Sequence, residues 1–286
     1  MSSLREIKDR IGSVKSTLKI TSAMKLVASS KLRKAQRAIE GLRPYEETLN
    51  GILQSLRNEG AMPDSRLAES GKSGKVAVIA ISSNSSLCGG FNSNVIKKTQ
   101  EVLAGCQDAL VYSLGRKMSE AMRKAGYAST ADYSDLIAHP SYDKVTGLAE
   151  SISKRYLDGE FSKVVLVYNH FVSTSKQVPV AEVYLPFVSS PAGNECPGRR
   201  EDVSDFIVEP SAEEVVETLM PQVLMLKFYA AVLDSAAAEH AARTVAMQTA
   251  TDNAEELLGD LTLEYNKGRQ QKITAEILDL IGGTAD

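Results

Sequence analysis

LREIKDRIGSVKSTLKITSAMKLVASSKLRKAQRAIEGL, Leu4 to Leu42, places Leu4, Ile7, Ile11, Val14, Leu18, Thr21, Lys25, Ala28, Leu32, Ala35, Ile39 and Leu42 at alternating steps of three and four. That spacing is a heptad seam, the pattern of a helix packed along a second helix. Only Thr21 and Lys25 interrupt it. Ser3 with Glu6 forms a capping box that serves the free amides of the first turn. Gly41 and Pro44 are expected to kink or briefly break the helix, because proline lacks a donor and crowds the preceding turn. The helical pattern resumes through Leu49, Ile52, Leu53 and Leu56, so Ser3 to Arg57 would extend roughly 80 Å.

The other end of the chain carries a second seam. Ser211 and Glu214 form another capping box, and Pro221 is expected to break off a short leading helix. Val223, Leu226, Ala230, Leu233, Ala237, His240, Thr244, Met247, Thr251, Ala254, Leu258 and Leu261 then step by three and four. Ile273, Ile277 and Leu280 carry an apolar face to Gly282 and Gly283, where the helix should stop, roughly 90 Å from its start. Both long helices adjoin the same middle region, so a shared seam requires them to run antiparallel. Ala35, Ala230, Ala237 and Ala254 on the seams permit close approach. A hairpin of two different helices has no internal symmetry, so it would show a different face to each member of a ring of similar partners. Turning it would then shift their populations.

Between the helices, Glu59 to Gly74 is polar and rich in Gly, Ser and Pro, and reads as a linker. Lys75 to Ser82 and Ala109 to Leu114 read as buried strands flanking a helix from Asn92 to Leu103, a βαβ pattern. Helices at Arg116 to Lys124 and Tyr142 to Leu157 precede strands at Lys163 to Asn169 and Gln177 to Phe187, giving a small sheet with helices packed on it. Ser189 to Asp205 reads as a loop. The expected organisation is an N-terminal coiled-coil helix at 1–58, a Rossmann-like α/β domain at 75–190 and a C-terminal coiled-coil helix at 211–286.

Composition is that of an ordinary globular protein, with 43% hydrophobic and 24% charged residues. Met1 to Arg43 holds eleven Lys or Arg against three Asp or Glu, a net of +8 within a chain of net −3. Such a segment can meet nucleic acid, anionic lipid or an acidic protein surface. Aromatics are absent from it, so base stacking is unavailable and nucleic acid would be held by phosphate attraction alone. Cys88, Cys106 and Cys196 are too far apart for a metal knuckle or a redox pair, and a reducing compartment fits them. No signal core follows Met1, and no run of about 20 apolar residues is present, so membrane attachment would come through partners.

A nucleotide-binding α/β enzyme is the main rival reading, prompted by the βαβ pattern and by Gly71-Lys72-Ser73. Its spacing fails: Arg66 stands where a P-loop needs glycine, and the segment precedes a strand instead of following one. His139, His170 and His240 fall in no ligand or triad spacing and read as isolated residues. No catalytic, cofactor or metal site is expected.

Three blocks resemble the gamma subunit of F-type ATP synthases: Arg5 to Gln36, SLCGGFNSN at Ser86 to Asn94, and Glu239 to Ile277. Their order and spacing extend the resemblance over nearly the whole chain. It implies a shaft whose coiled coil enters a ring of three alpha and three beta subunits, with one copy per complex. It further implies an α/β foot on the epsilon subunit and the c-ring, at the cytoplasmic face of the inner membrane, with proton flow driving ATP synthesis at the beta sites. Residue by residue, the resemblance places Arg269 and Gln270 against a loop of beta, and Met24 and Lys25 against the bearing and the acidic lever of beta. For Met24 simple packing is an equal reading, and for Lys25 a solvated charge is the plain alternative. Gly89 and Gly90 read as a tight strand-to-helix turn, not a phosphate site. Gly198 to Asp205 lacks the paired cysteines of the chloroplast form, and the three cysteines read as incidental.

Overall fold

A computed structural model of the chain describes residues 3–58, 67, 74–127, 131–187, 208–209 and 211–282. Most of the expected linker, Gly71 to Ser73, the expected loop at Ser189 to Asp205, and Cys196 lie outside these residues. In chain order the elements are α1 (Leu4–Asn58), β1 (Lys75–Ile81), α2 (Phe91–Ala104), β2 (Ala109–Leu114), α3 (Arg116–Lys124), α4 (Ser134–Ala138), α5 (Tyr142–Leu157), β3 (Phe161–Phe171), β4 (Gln177–Leu185) and α6 (Ala212–Gly282). The chain divides into two compact units, Ser30–Ala242 and Met1–Ser29 with Arg243–Asp286, and α1 and α6 contribute to both.

The larger unit is built on a four-stranded sheet of order β2-β1-β3-β4. β1 runs parallel to β2 and β3, while β4 returns antiparallel on β3. Both faces of the sheet are covered, which is why KVAVIAI is apolar at nearly every position instead of alternating. Ala77, Ile79, Ile81, Leu166 and Tyr168 face α5 together with Leu49, Leu53 and Leu56 of α1 and Val216 to Val232 of α6. Val78, Ala80, Val111, Val165 and Val167 face Val95 and Leu103 of α2 and Met118 and Met122 of α3. Each large side chain buried here contributes about 1.5–3 kcal/mol.

Neither Pro44 nor Pro221 breaks its helix: of the kink or break expected at Gly41 and Pro44 the break does not occur, and no separate short helix leads α6. α1 is assigned without interruption across Pro44, and α6 across Pro221. Pro44 lies on an exposed turn, as does Glu40, whose carbonyl loses its donor and can turn to water. Pro221 is flanked by Val216, Met220, Val223 and Leu224, all at 3% exposure or less. Their burial outweighs the roughly 3 kcal/mol that an interior proline costs. α6 also contains a window apolar enough by composition to span a membrane. Its apolar residues from Val216 to Val232 are spent on the domain core.

In the smaller unit the seams meet as the spacing requires. Ile7, Thr21 and Ala28 of α1 are buried, as are Met247, Thr251, Ala254 and Leu261 of α6. The helices are antiparallel, because rising numbers on one meet falling numbers on the other: Lys25 bonds Gln248, Thr21 meets Thr251, and Leu4 lies beside Gly268. The N-terminal capping box forms in both directions, Glu6 N–H to Ser3 Oγ at 3.2 Å and Ser3 N–H to Glu6 Oε2 at 2.9 Å. Past the level of Leu4, the expected apolar face of α6 continues into solvent, with Ile273 46% and Ile277 50% exposed.

Candidate functional site

Thr21 and Lys25, the two interruptions of the first seam, are answered across the helix pair. The Thr251 hydroxyl lies 2.9 Å from that of Thr21 and 2.8 Å from Met247 O, and Thr21 donates to Leu18 O. One turn on, Lys25 Nζ donates to Gln248 Oε1 at 2.5 Å, and Gln248 Nε2 donates to Asp252 Oδ1 at 2.6 Å. A polar layer inside an apolar seam is satisfied in one register only, so it trades stability for a fixed alignment. A double-mutant cycle on Thr21→Val and Thr251→Val is expected to give a coupling energy of about 1 kcal/mol in urea unfolding. Strictly additive effects would mean that the hydroxyls do not act together.

Lys25 is therefore half-buried and committed to its own chain, and Met24 beside it is also half-buried. Arg269 and Gln270 are exposed, and among the described residues the Arg269 guanidinium has no ion pair. The structure does not gather the four residues: about six turns of α6, roughly 30 Å, separate Gln248 from Arg269.

In the larger unit, SLCGGFNSN follows β1, at the strand end where open α/β sheets bind ligands. Here its polar groups are spent on one another. Asn92 accepts from Ser83 N–H at 3.1 Å and donates to Ser83 Oγ at 2.8 Å and Cys88 Sγ at 3.2 Å. Gly89 takes φ +57°, as the expected turn requires, whereas Gly90 is ordinary at φ −80°. The first amides of α3 are also taken: Arg116 by Asn84 Oδ1 at 3.0 Å, Lys117 by Ser83 O at 3.2 Å and Met118 by Ser82 Oγ at 2.8 Å. A helix start so occupied offers no donors to a phosphate. Cys88 and Phe91 of the same block pack on Ala238 and Ala242 of α6, which gives the motif a bracing role.

A cleft of about 300 Å³ at the opposite strand ends is lined by Lys75, Leu110, Arg155, Glu160 and Phe161. Its charges are already paired. Arg155 Nε bonds Glu160 at 2.7 Å, its Nη1 bonds the Tyr112 hydroxyl, and the guanidinium lies 4.7 Å over the Phe161 ring. Lys75 pairs with Asp108 at 3.3 Å. Among the described residues, no group of three or more His, Cys, Asp or Glu could hold a metal ion. The reading of His170 as isolated is corrected: its Nδ1 lies 2.6 Å from Asp234 Oδ2. Nothing in the sequence spacing signals that pair, which is made by tertiary packing.

Long N- and C-terminal helices packed together, with a central mixed α/β domain, define the class: a helical hairpin joined to a four-stranded α/β domain. The family model described as ATP synthase matches residues 3–285. The chain belongs to the ATP synthase gamma-chain family. It is thus the rotor subunit of the F-type enzyme, a non-catalytic part of the complex. Among its relatives, the ATP synthase gamma chain of Phocaeicola vulgatus is 46% identical over 290 residues, covering 99% of each chain. That of Flavobacterium johnsoniae is 41% identical over 292 residues, covering 99% of this chain and 98% of the relative. The fold also matches a chain of the Euglena gracilis mitochondrial ATP synthase in its OSCP/F1/c-ring structure, with TM-score 0.63, 21% identity, and 98% and 93% coverage. A chain from the central stalk/c-ring structure of the Tetrahymena thermophila enzyme gives TM-score 0.57 at 21% identity, covering 81% and 99%.

Proposed function

We propose that this chain carries torque between the c-ring and the catalytic head, with the paired portions of segments 1–58 and 211–286 as the shaft and residues 75–190, together with the helix stretches packed on their sheet, as the foot. One observation supports this most directly: two non-identical helices meet antiparallel in a register fixed by the Thr21–Thr251 layer and by the Lys25–Gln248 bond. A pair locked in this way turns as one body, and its unlike faces favour different states of three beta subunits in succession. Arg269 and Gln270, exposed on α6, meet a loop of beta. Met24 and Lys25 lie at the bearing, where the +8 segment around them is drawn to the acidic lever of beta. The α/β foot stands on epsilon and the c-ring at the cytoplasmic face of the inner membrane, and proton flow drives it.

The purified chain is expected to show no ATPase activity, and to co-purify with alpha and beta at one copy per three beta subunits. Hydrolysis by the chain alone, abolished by Lys72→Ala, would return the reading to a nucleotide-binding enzyme. Steeply salt-dependent DNA binding in place of capture by alpha and beta would return it to a nucleic-acid partner.

A further inference from the structure

Helix α6 leaves the α/β core through an alanine-rich stretch. Val216 to Val232 insert large side chains into the sheet's core. Beyond them come Ala237, Ala238, Ala241 and Ala242, which pack on Leu32, Ala35, Cys88, Phe91 and Phe171. Alanine faces allow close approach, but alanine side chains reach little beyond the backbone, so α6 itself sends few large side chains into its neighbours along this stretch. Between the two stretches stands Asp234, whose side chain is only 18% exposed.

Its carboxylate reaches the end of β3 at two points. Oδ1 accepts the backbone N–H of Phe171 at 3.0 Å, and Oδ2 lies 2.6 Å from His170 Nδ1. Burial raises the Asp234 pKa, while the His170 ring and the Phe171 amide oppose that rise. The same strand end is tied to α2, where Asn169 Nδ2 donates to Phe91 O at 3.1 Å. A further tie from the sheet to α6 comes from Tyr184, whose hydroxyl donates to Leu224 O at 3.0 Å about three turns earlier and whose ring meets that of Phe228. Two bonds from one carboxylate to one strand end fix both the rotation and the height of the helix, as a single bond does not.

We infer that Asp234, held by His170 and the Phe171 amide, is the positioning residue that keys α6 to the α/β domain where torque passes between them. This rests on the rotor reading. Without the key, the alanine stretch yields before the foot turns the shaft through its full step.

The test uses the whole complex reconstituted in vesicles, with ATP hydrolysis and ATP-driven proton pumping measured on the same sample. Asp234→Ala is expected to keep hydrolysis within twofold while protons pumped per ATP fall at least fivefold. Asp234→Asn retains an acceptor for the Phe171 amide and should recover part of the loss. His170→Asn, which retains a donor, should exceed His170→Leu in coupling. Where Asp234→Ala fails to assemble, the two His170 variants carry the test. Unchanged coupling in the Asp234 and His170 variants, or pumping and hydrolysis falling in proportion, would overturn the inference and leave the rotor reading intact. A complex with the unaltered chain that hydrolyses ATP but pumps no protons would overturn the rotor reading itself.

Discussion

Gly115→Ala is expected to destabilise the chain by about 4 kcal/mol, read as a lower urea midpoint by circular dichroism. Gly115 adopts φ +103°, where a side chain is strained. An added Cβ would also lie 2.3 Å from Ser82 O and 2.9 Å from Ser82 Oγ. Ser82 cannot retreat, since its amide donates to Leu114 O at 2.8 Å and its hydroxyl caps α3 through Met118 N–H. Relief of the clash would break the β1–β2 pairing or uncap α3. Gly159→Ala separates the two causes: its φ is +83° but nothing lies within 4 Å, so only strain of about 1 kcal/mol should appear. Equal losses at the two sites would mean that the Ser82 contact plays no part.

Arg269→Ala with Gln270→Ala should do the reverse, sparing the fold and impairing the machine. Both residues are exposed, so unfolding stability should stay within about 0.5 kcal/mol. If they meet beta, truncating an interface arginine costs about 2 kcal/mol or more, on the order of a 30-fold loss in that contact. ATP synthesis in vesicles should accordingly fall by about tenfold or more. Lys25→Ala should cost less, because its ammonium is already bound to Gln248. An unchanged synthesis rate in the double variant would remove Arg269 and Gln270 from the beta contact.

Both long helices were legible from their spacing, since every seam position from Leu4 to Leu42 is buried or half-buried in the structure. α3 and α5 have the bounds that periodicity gives, whereas β3 extends two residues further at each end and β4 stops at Leu185 instead of Phe187. Pro221 misled because local propensity cannot weigh the burial that holds Val216 and Met220 in place. The short α4 was missed, having too few residues to show a period. Thr21 and Lys25 stood out as breaks in a pattern, but their partners could not be read, because nothing within either helix states the register between them. The same holds for His170 and Asp234, 64 residues apart and joined only by the packing of β3 on α6. Arg269 and Gln270 carried no physical signal of their own beyond exposure, and their roles rest on likeness to the family.

Torque transmission is tested most directly by watching one molecule turn. An alpha–beta–gamma complex would be fixed to a surface through its beta subunits, with a bead on the α/β domain of this chain. On addition of ATP the bead should rotate in one direction in steps of a third of a turn. Full hydrolysis with a bead that stays still, or wanders without direction, would contradict the account.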